Sequence, residues 1–127
     1  MKILIVEPYE DVLKDVERQV IASVPESKIE QLDATLYLDN AERLIEKKKY
    51  DLVILVHELP YGGPSGELLN EGYNILIPKI KKQNPNSIVI GMSPRARNVR
   101  VKPDYVFEER MNQFSGFIRA VLRKHFE

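Results

Sequence analysis

Tyr50-Asp51-Leu52-Val53-Ile54-Leu55-Val56-His57-Glu58-Leu59-Pro60 is the stretch from which the fold is read. Leu52 to Val56 is an unbroken aliphatic run, closed by Asp51 on one side and by His57-Glu58 on the other. A run this short with no polar face reads as a strand covered on both sides, as in a parallel sheet under helices. A buried helix would also lack a polar face, but the shortness of the run and the nearby Pro60 favour a strand. The carboxyl end of such a strand is where an open α/β sheet places its ligands. Here that end carries Val56.

On the amino-terminal side, Ile3 to Val6 is a second fully apolar strand, ended by Glu7-Pro8. From Tyr9 to Ala22, the residues Val12, Leu13, Val16, Val20 and Ile21 recur at helical spacing. Val24-Pro25 closes that helix, because the residue before a proline is driven out of the helical region. Leu32, Ala34, Leu36 and Leu38 alternate with polar residues, as in a strand open to water on one side. Asp39 followed by Glu42 resembles a capping box, with Ala41, Leu44 and Ile45 facing inward and Lys47-Lys48-Lys49 at the carbonyl end.

On the carboxyl-terminal side, Tyr61-Gly62-Gly63-Pro64-Ser65-Gly66 is a loop by its turn residues. A helix resumes near Glu67 or Gly72 and runs to about Gln83, with Ile75, Leu76 and Ile80 inward. Pro78 requires either a late start near Asn74 or a kink. Asn84-Pro85-Asn86 is a turn, Ile88 to Met92 a strand, and Tyr105-Val106-Phe107 a last short strand. A final helix from about Asn112 carries Phe114, Phe117, Ile118, Val121 and Leu122 on one stripe. This order predicts a doubly wound α/β fold with a five-stranded parallel sheet and right-handed crossovers. One crossover is thin: only residues 94–103, bracketed by Pro94 and Pro103, separate Ser93 from Asp104. A crossover with its helix needs at least about 10–12 residues. The fourth helix is therefore expected to be short or absent, with Ser93-Pro94 starting at most one turn.

Composition narrows the function. A chain of 127 residues that is 43% hydrophobic is expected to be one domain, 1–127. Nineteen Lys and Arg balance nineteen Asp and Glu, so no overall field recruits nucleic acid or an anionic membrane. The absence of cysteine excludes thiolate metal sites, disulfides and cysteine nucleophiles. No stretch approaches the about 20 apolar residues of a membrane span, and the opening segment is too short for a secretory signal. A cytoplasmic location is expected.

The run Ile3-Leu4-Ile5-Val6-Glu7, the run Tyr50 to Leu55 ahead of Leu59-Pro60, Gly72-Tyr73 opening a helix, and Asp104-Tyr105-Val106 before the last helix resemble the receiver domain of bacterial response regulators. The resemblance spans essentially the whole chain and implies the flavodoxin-like strand order 2-1-3-4-5. It also implies a chemistry that can be checked residue by residue. A working receiver has a phosphoacceptor aspartate after its third strand, an acidic pair holding Mg²⁺ after the first, a Ser or Thr after the fourth and a Lys after the fifth. The corresponding residues are Val56, which cannot be phosphorylated, Glu7 followed by Pro8, Ser93, and Glu108, which reverses the sign of the charge. The resemblance is thus to a pseudo-receiver in two-component signalling.

The remaining polar residues invite weaker readings. His57 and Glu58 are adjacent on a strand and point to opposite faces, so a packing or anchoring role for His57 is preferred to a metal pair. Glu7, Glu10, Glu58, Glu108 and Glu109 gather toward the rim, but a solvated cluster is preferred to a cation site, and neither metal nor cofactor is expected. Arg95, Arg97, Arg100 and Lys102 lack interleaved aromatics, so nucleic acid is disfavoured. The glycine-rich loop lacks the Lys-Ser/Thr of a phosphate loop. The expectation is a non-enzymatic, phosphorylation-independent signalling or protein-interaction module, monomeric or homodimeric, with unidentified protein partners. Its candidate contacts are Tyr61, Arg95, Arg97, Val99, Arg100 and Val101. The alternative is a domain binding a small ligand or nucleotide at the carboxyl rim of the sheet.

Overall fold

A computed structural model describes residues 1–126. The strands β1 (Lys2–Val6), β2 (Gln31–Thr35) and β3 (Leu52–Leu55) are joined by α1 (Glu10–Ser23) and α2 (Leu38–Lys47). After β3 come a hairpin, β4 (Glu58–Tyr61) and β5 (Glu67–Asn70), then α3 (Gly72–Gln83) and β6 (Ile88–Gly91). The chain ends with β7 (Tyr105–Val106) and α4 (Phe114–Phe126). The main sheet is parallel, in the order β2-β1-β3-β6-β7. This is the expected 2-1-3-4-5 order once the hairpin is set aside. No helix of the described residues is long and apolar enough to cross a membrane.

The continuous apolar strands are explained by their burial on both sides. Successive residues of β1, β3 and β6 drop alternately into two cores. Ile3, Ile5, Ile54 and Ile90 lie with α1 and α4. Leu4, Val6, Val53, Leu55 and Val89 lie with α2, α3 and Leu59 of the hairpin. Between β6 and β7 there is no helix, only turns and bends, as the short link and its two prolines foretold.

Several local expectations are corrected. The helix near Glu67 is replaced by β5, which pairs antiparallel with β4 so that Leu59 faces Leu69 and Tyr61 faces Glu67. Gly62 and Gly63, at φ of 93° and 92°, make the turn in a region that side chains avoid. Tyr61 is thus on a strand rather than a loop. α3 does not start late: it begins at Gly72, with exposed Pro78 inside it, and buries Ile77 more deeply than Ile75. α2 begins at Leu38, which is buried in the helix rather than ending a strand. Asp39 therefore lies in the first turn and is not the cap; its carboxylate accepts a bond from the Gly62 amide at 3.1 Å. On α1, Val12 and Ile21 are exposed while Gln19 is buried. Gln19 Oε1 accepts from the Ser115 amide at 3.0 Å, a contact that draws that face toward α4.

Candidate functional site

Because β1, β3 and β6 are parallel and in register, Val6, Leu55 and Gly91 end side by side. The residues that follow each strand therefore meet at one rim. They line an open cleft of about 310 Å³. Glu7, Pro8 and Tyr9 form one wall, Val56 and Glu58 the middle, and Ser93, Pro94, Arg95 and Ala96 the other wall. Three of the four positions singled out from the sequence thus converge there: Glu7 with Pro8, Val56, and Ser93. Glu108 is exposed and does not line the cleft.

Val56 is 9% exposed and presents an isopropyl group where the receiver resemblance places a nucleophile. Its amide continues the ladder to Val6 O at 3.3 Å. Glu7 is 6% exposed, and its Oε1 accepts from the Tyr9 amide at 3.3 Å. Burial pushes its carboxyl above the usual glutamate range, opposed by that hydrogen bond. Ser93 caps no helix, since none follows. Its Oγ accepts from the His57 amide at 3.0 Å, which ties the ends of β3 and β6 together below the cleft. Among the described residues, no three His, Asp or Glu side chains form a group able to hold a metal ion.

His57 is fully buried. Nδ1 accepts from the Tyr73 amide at 3.1 Å, in the first turn of α3, so the neutral ring carries its proton on Nε2. Nε2 itself is buried without a hydrogen-bond partner among the described residues. Burial pulls the imidazole below the usual histidine range, opposed by the Glu71 and Glu58 carboxylates. His57 O accepts from the Gly72 amide at 2.8 Å, completing the join. A Cβ at Gly72 would come within 2.5 Å of Val56 O, which explains the glycine at the start of the helix. The Tyr73 ring lies 4.7 Å from the imidazole, and its hydroxyl accepts from the Ser93 amide at 2.9 Å.

The link that replaces a helix is pinned to α3 through Asn74. Its Oδ1 accepts from the amides of Arg100 at 2.7 Å and Val101 at 3.0 Å, and its Nδ2 donates to Asn98 O at 2.6 Å. Asn98 adopts a left-handed φ of 59°, which asparagine tolerates. Arg100 also pairs with Glu71 at 2.8 Å. Of the candidate contacts, Arg95, Arg97, Arg100 and Tyr61 are exposed. Val99 and Val101 are instead half-buried against the core, where they occupy the place a helix would fill. Sequence reasoning missed the structural parts played by Tyr73 and Asn74. The only signal was their position directly after a helix-opening glycine.

Neither a protein-family model nor a curated protein sequence matches the chain. Solved structures do. A receiver domain protein of the CheY-like kind from Methanospirillum hungatei JF-1 is 17% identical, with a TM-score of 0.68, over 98% of this chain and 94% of that one. The signal receiver domain of an HD domain-containing protein from Pseudomonas fluorescens Pf-5 is 16% identical, with a TM-score of 0.67, over 98% and 95%. The fold is that of a response regulator receiver domain. The RcsB response regulator of Salmonella typhimurium is 14% identical, with a TM-score of 0.63, and this chain spans 60% of its length. The receiver fold thus accounts for the whole of the described chain but for only part of that regulator.

Proposed function

We propose that this receiver-fold domain is a pseudo-receiver, a non-enzymatic module that signals through protein contacts without phosphorylation. The observation that carries the reading is the isopropyl group of Val56 at the centre of the rim, where phosphoryl transfer needs a carboxylate nucleophile. Ser93 Oγ is already engaged by the His57 amide, and Glu108 lies away from the cleft with the wrong charge for stabilising a phosphoryl group. Contacts then fall to exposed groups, with Tyr61 on the hairpin and Arg95, Arg97 and Arg100 on the link as the foremost candidates. The test is an amide spectrum recorded with beryllofluoride or acetyl phosphate plus Mg²⁺. No movement is expected; shifts clustered at Glu7, Val56 and Ser93 would overturn the reading. A second reading, a small-ligand domain, is favoured by the open cleft itself. It predicts saturable thermal stabilisation by its ligand.

A further inference from the structure

We propose that the rim cleft binds an organic cation, a primary ammonium or guanidinium group, between the carboxylates of Glu7 and Glu58 and beside the ring of Tyr9. This rests on the second reading and names its ligand class. Glu7 is the deciding residue. It is 94% removed from solvent, and only its Oε1 has a partner, the Tyr9 amide at 3.3 Å. Among the described residues Oε2 accepts no hydrogen bond, and no lysine or arginine pairs with either oxygen. Oε2 is not one of the enclosed, unpartnered side-chain atoms, so it opens to the cleft, where a largely buried carboxylate favours an arriving counter-charge.

The rest of the cleft matches that counter-charge. Tyr9 lines it and is 66% exposed, an unusual state for an aromatic ring and one that offers a face to a cation. Glu58 supplies a second carboxylate on the same rim. Glu10 and Asp11, in the first turn of α1, offset the positive end of that helix beside the wall. Val56, Pro8 and Pro94 give apolar surface for a methylene stem. The volume, about 310 Å³, is enough for one such group. A metal ion is the poorer fit, because no three ligating side chains converge. Arg95, on the far wall, is exposed and forms no ion pair among the described residues. Its charge opposes the proposed ligand, which gives the proposal a sign to test.

The test is a chemical-shift titration of the full chain with n-butylammonium, with agmatine, and with N-acetyl-lysine methylamide, using n-butanol as the neutral control. Saturable shifts of the Val56 methyls and the Tyr9 and Ala96 amides are expected with the cations and not with butanol. The isosteric Glu7→Gln is expected to weaken binding about tenfold, in line with the loss of a charged hydrogen bond. Arg95→Ala, on the surface, should strengthen it. Tighter binding of the lysine derivative than of the free amine would point to a protein-borne side chain, and the reverse to a free amine; both orders support the site. Equal shifts with butanol, no saturation at Val56 and Tyr9, or an unchanged affinity in Arg95→Ala would overturn it. The phosphodonor spectrum is a separate measurement, so the two proposals fail independently.

Discussion

On one face of the sheet, Ile3, Ile5, Ile54 and Ile90 lie beneath two regular helices, α1 and α4. On the other, Leu4, Val6, Val53, Leu55 and Val89 lie beneath α2 and α3, a hairpin and an irregular link. The helices satisfy most of their own backbone groups, so the first face is filled mainly by apolar side chains, with Gln19 serving the Ser115 amide, and Phe107 packs edge-on against Phe114 and Phe117. The link on the second face has no such ladder and borrows partners from side chains: Asn74 for Arg100, Val101 and Asn98, and Tyr73 for Ser93. Buried backbone polar groups must be paired one way or the other. Where a receiver-fold helix is lost, polar side chains have taken over its hydrogen bonding.

Four measurements press on that contrast. Phe114→Ala, at a fully buried position of the helical face, should cost about 3–5 kcal/mol in urea unfolding. A much smaller loss would show that face to be loosely packed. Val56→Asp places a carboxylate beside buried Glu7 and should cost about 2–3 kcal/mol at neutral pH. Burial raises the folded pKa of such a group, so the cost is full above that value and fades as acid protonates it. The variant should still take no label from acetyl phosphate.

Asn74→Ala should cost about 1–2 kcal/mol, less than its four side-chain bonds suggest, because water reaches the link. Hydrogen exchange should quicken at the Arg100 and Val101 amides and stay unchanged in α1 and α4. Uniform change would erase the distinction between the faces. The smallest effect is the pH slope from His57. Its folded pKa is depressed by burial, so the unfolded chain takes up the proton first as pH falls below 6.5. Stability is full above that pH and should decline below it by no more than about 1.4 kcal/mol per pH unit. Glu7 acts in the opposite direction in acid, so the slope is best read in Glu7→Gln, with His57→Gln as the control that removes it.

The helical face was readable almost element by element, since aliphatic runs and helical spacing report a continuous apolar cover. The exceptions are instructive. Val12 and Ile21 matched the stripe of α1 yet stay exposed, because Gln19 turns that face toward Ser115. The hairpin was unreadable: Glu67 to Asn70 has no alternation of its own and is a strand only because β4 pairs with it. At the site, the convergence of Glu7, Val56 and Ser93 followed from topology alone. The exclusion of Glu108 and the half-burial of Val99 and Val101 did not.

Residue order was sufficient to specify the five strands of the main sheet, the missing helix between Ser93 and Asp104, and an isopropyl group at the rim, while the order of those strands across the sheet was implied by the receiver resemblance. These depend on local chain stiffness, on apolar periodicity and on loop length, all of which are properties of neighbouring residues. Folding in three dimensions alone decided that His57 would hold α3 by its Nδ1, that Asn74 would secure the link, and that Glu7 would be largely buried without a salt-bridge partner. Each of those outcomes depends on groups far apart in the chain, and the energy of a buried polar atom is set by whichever distant partner packing brings to it.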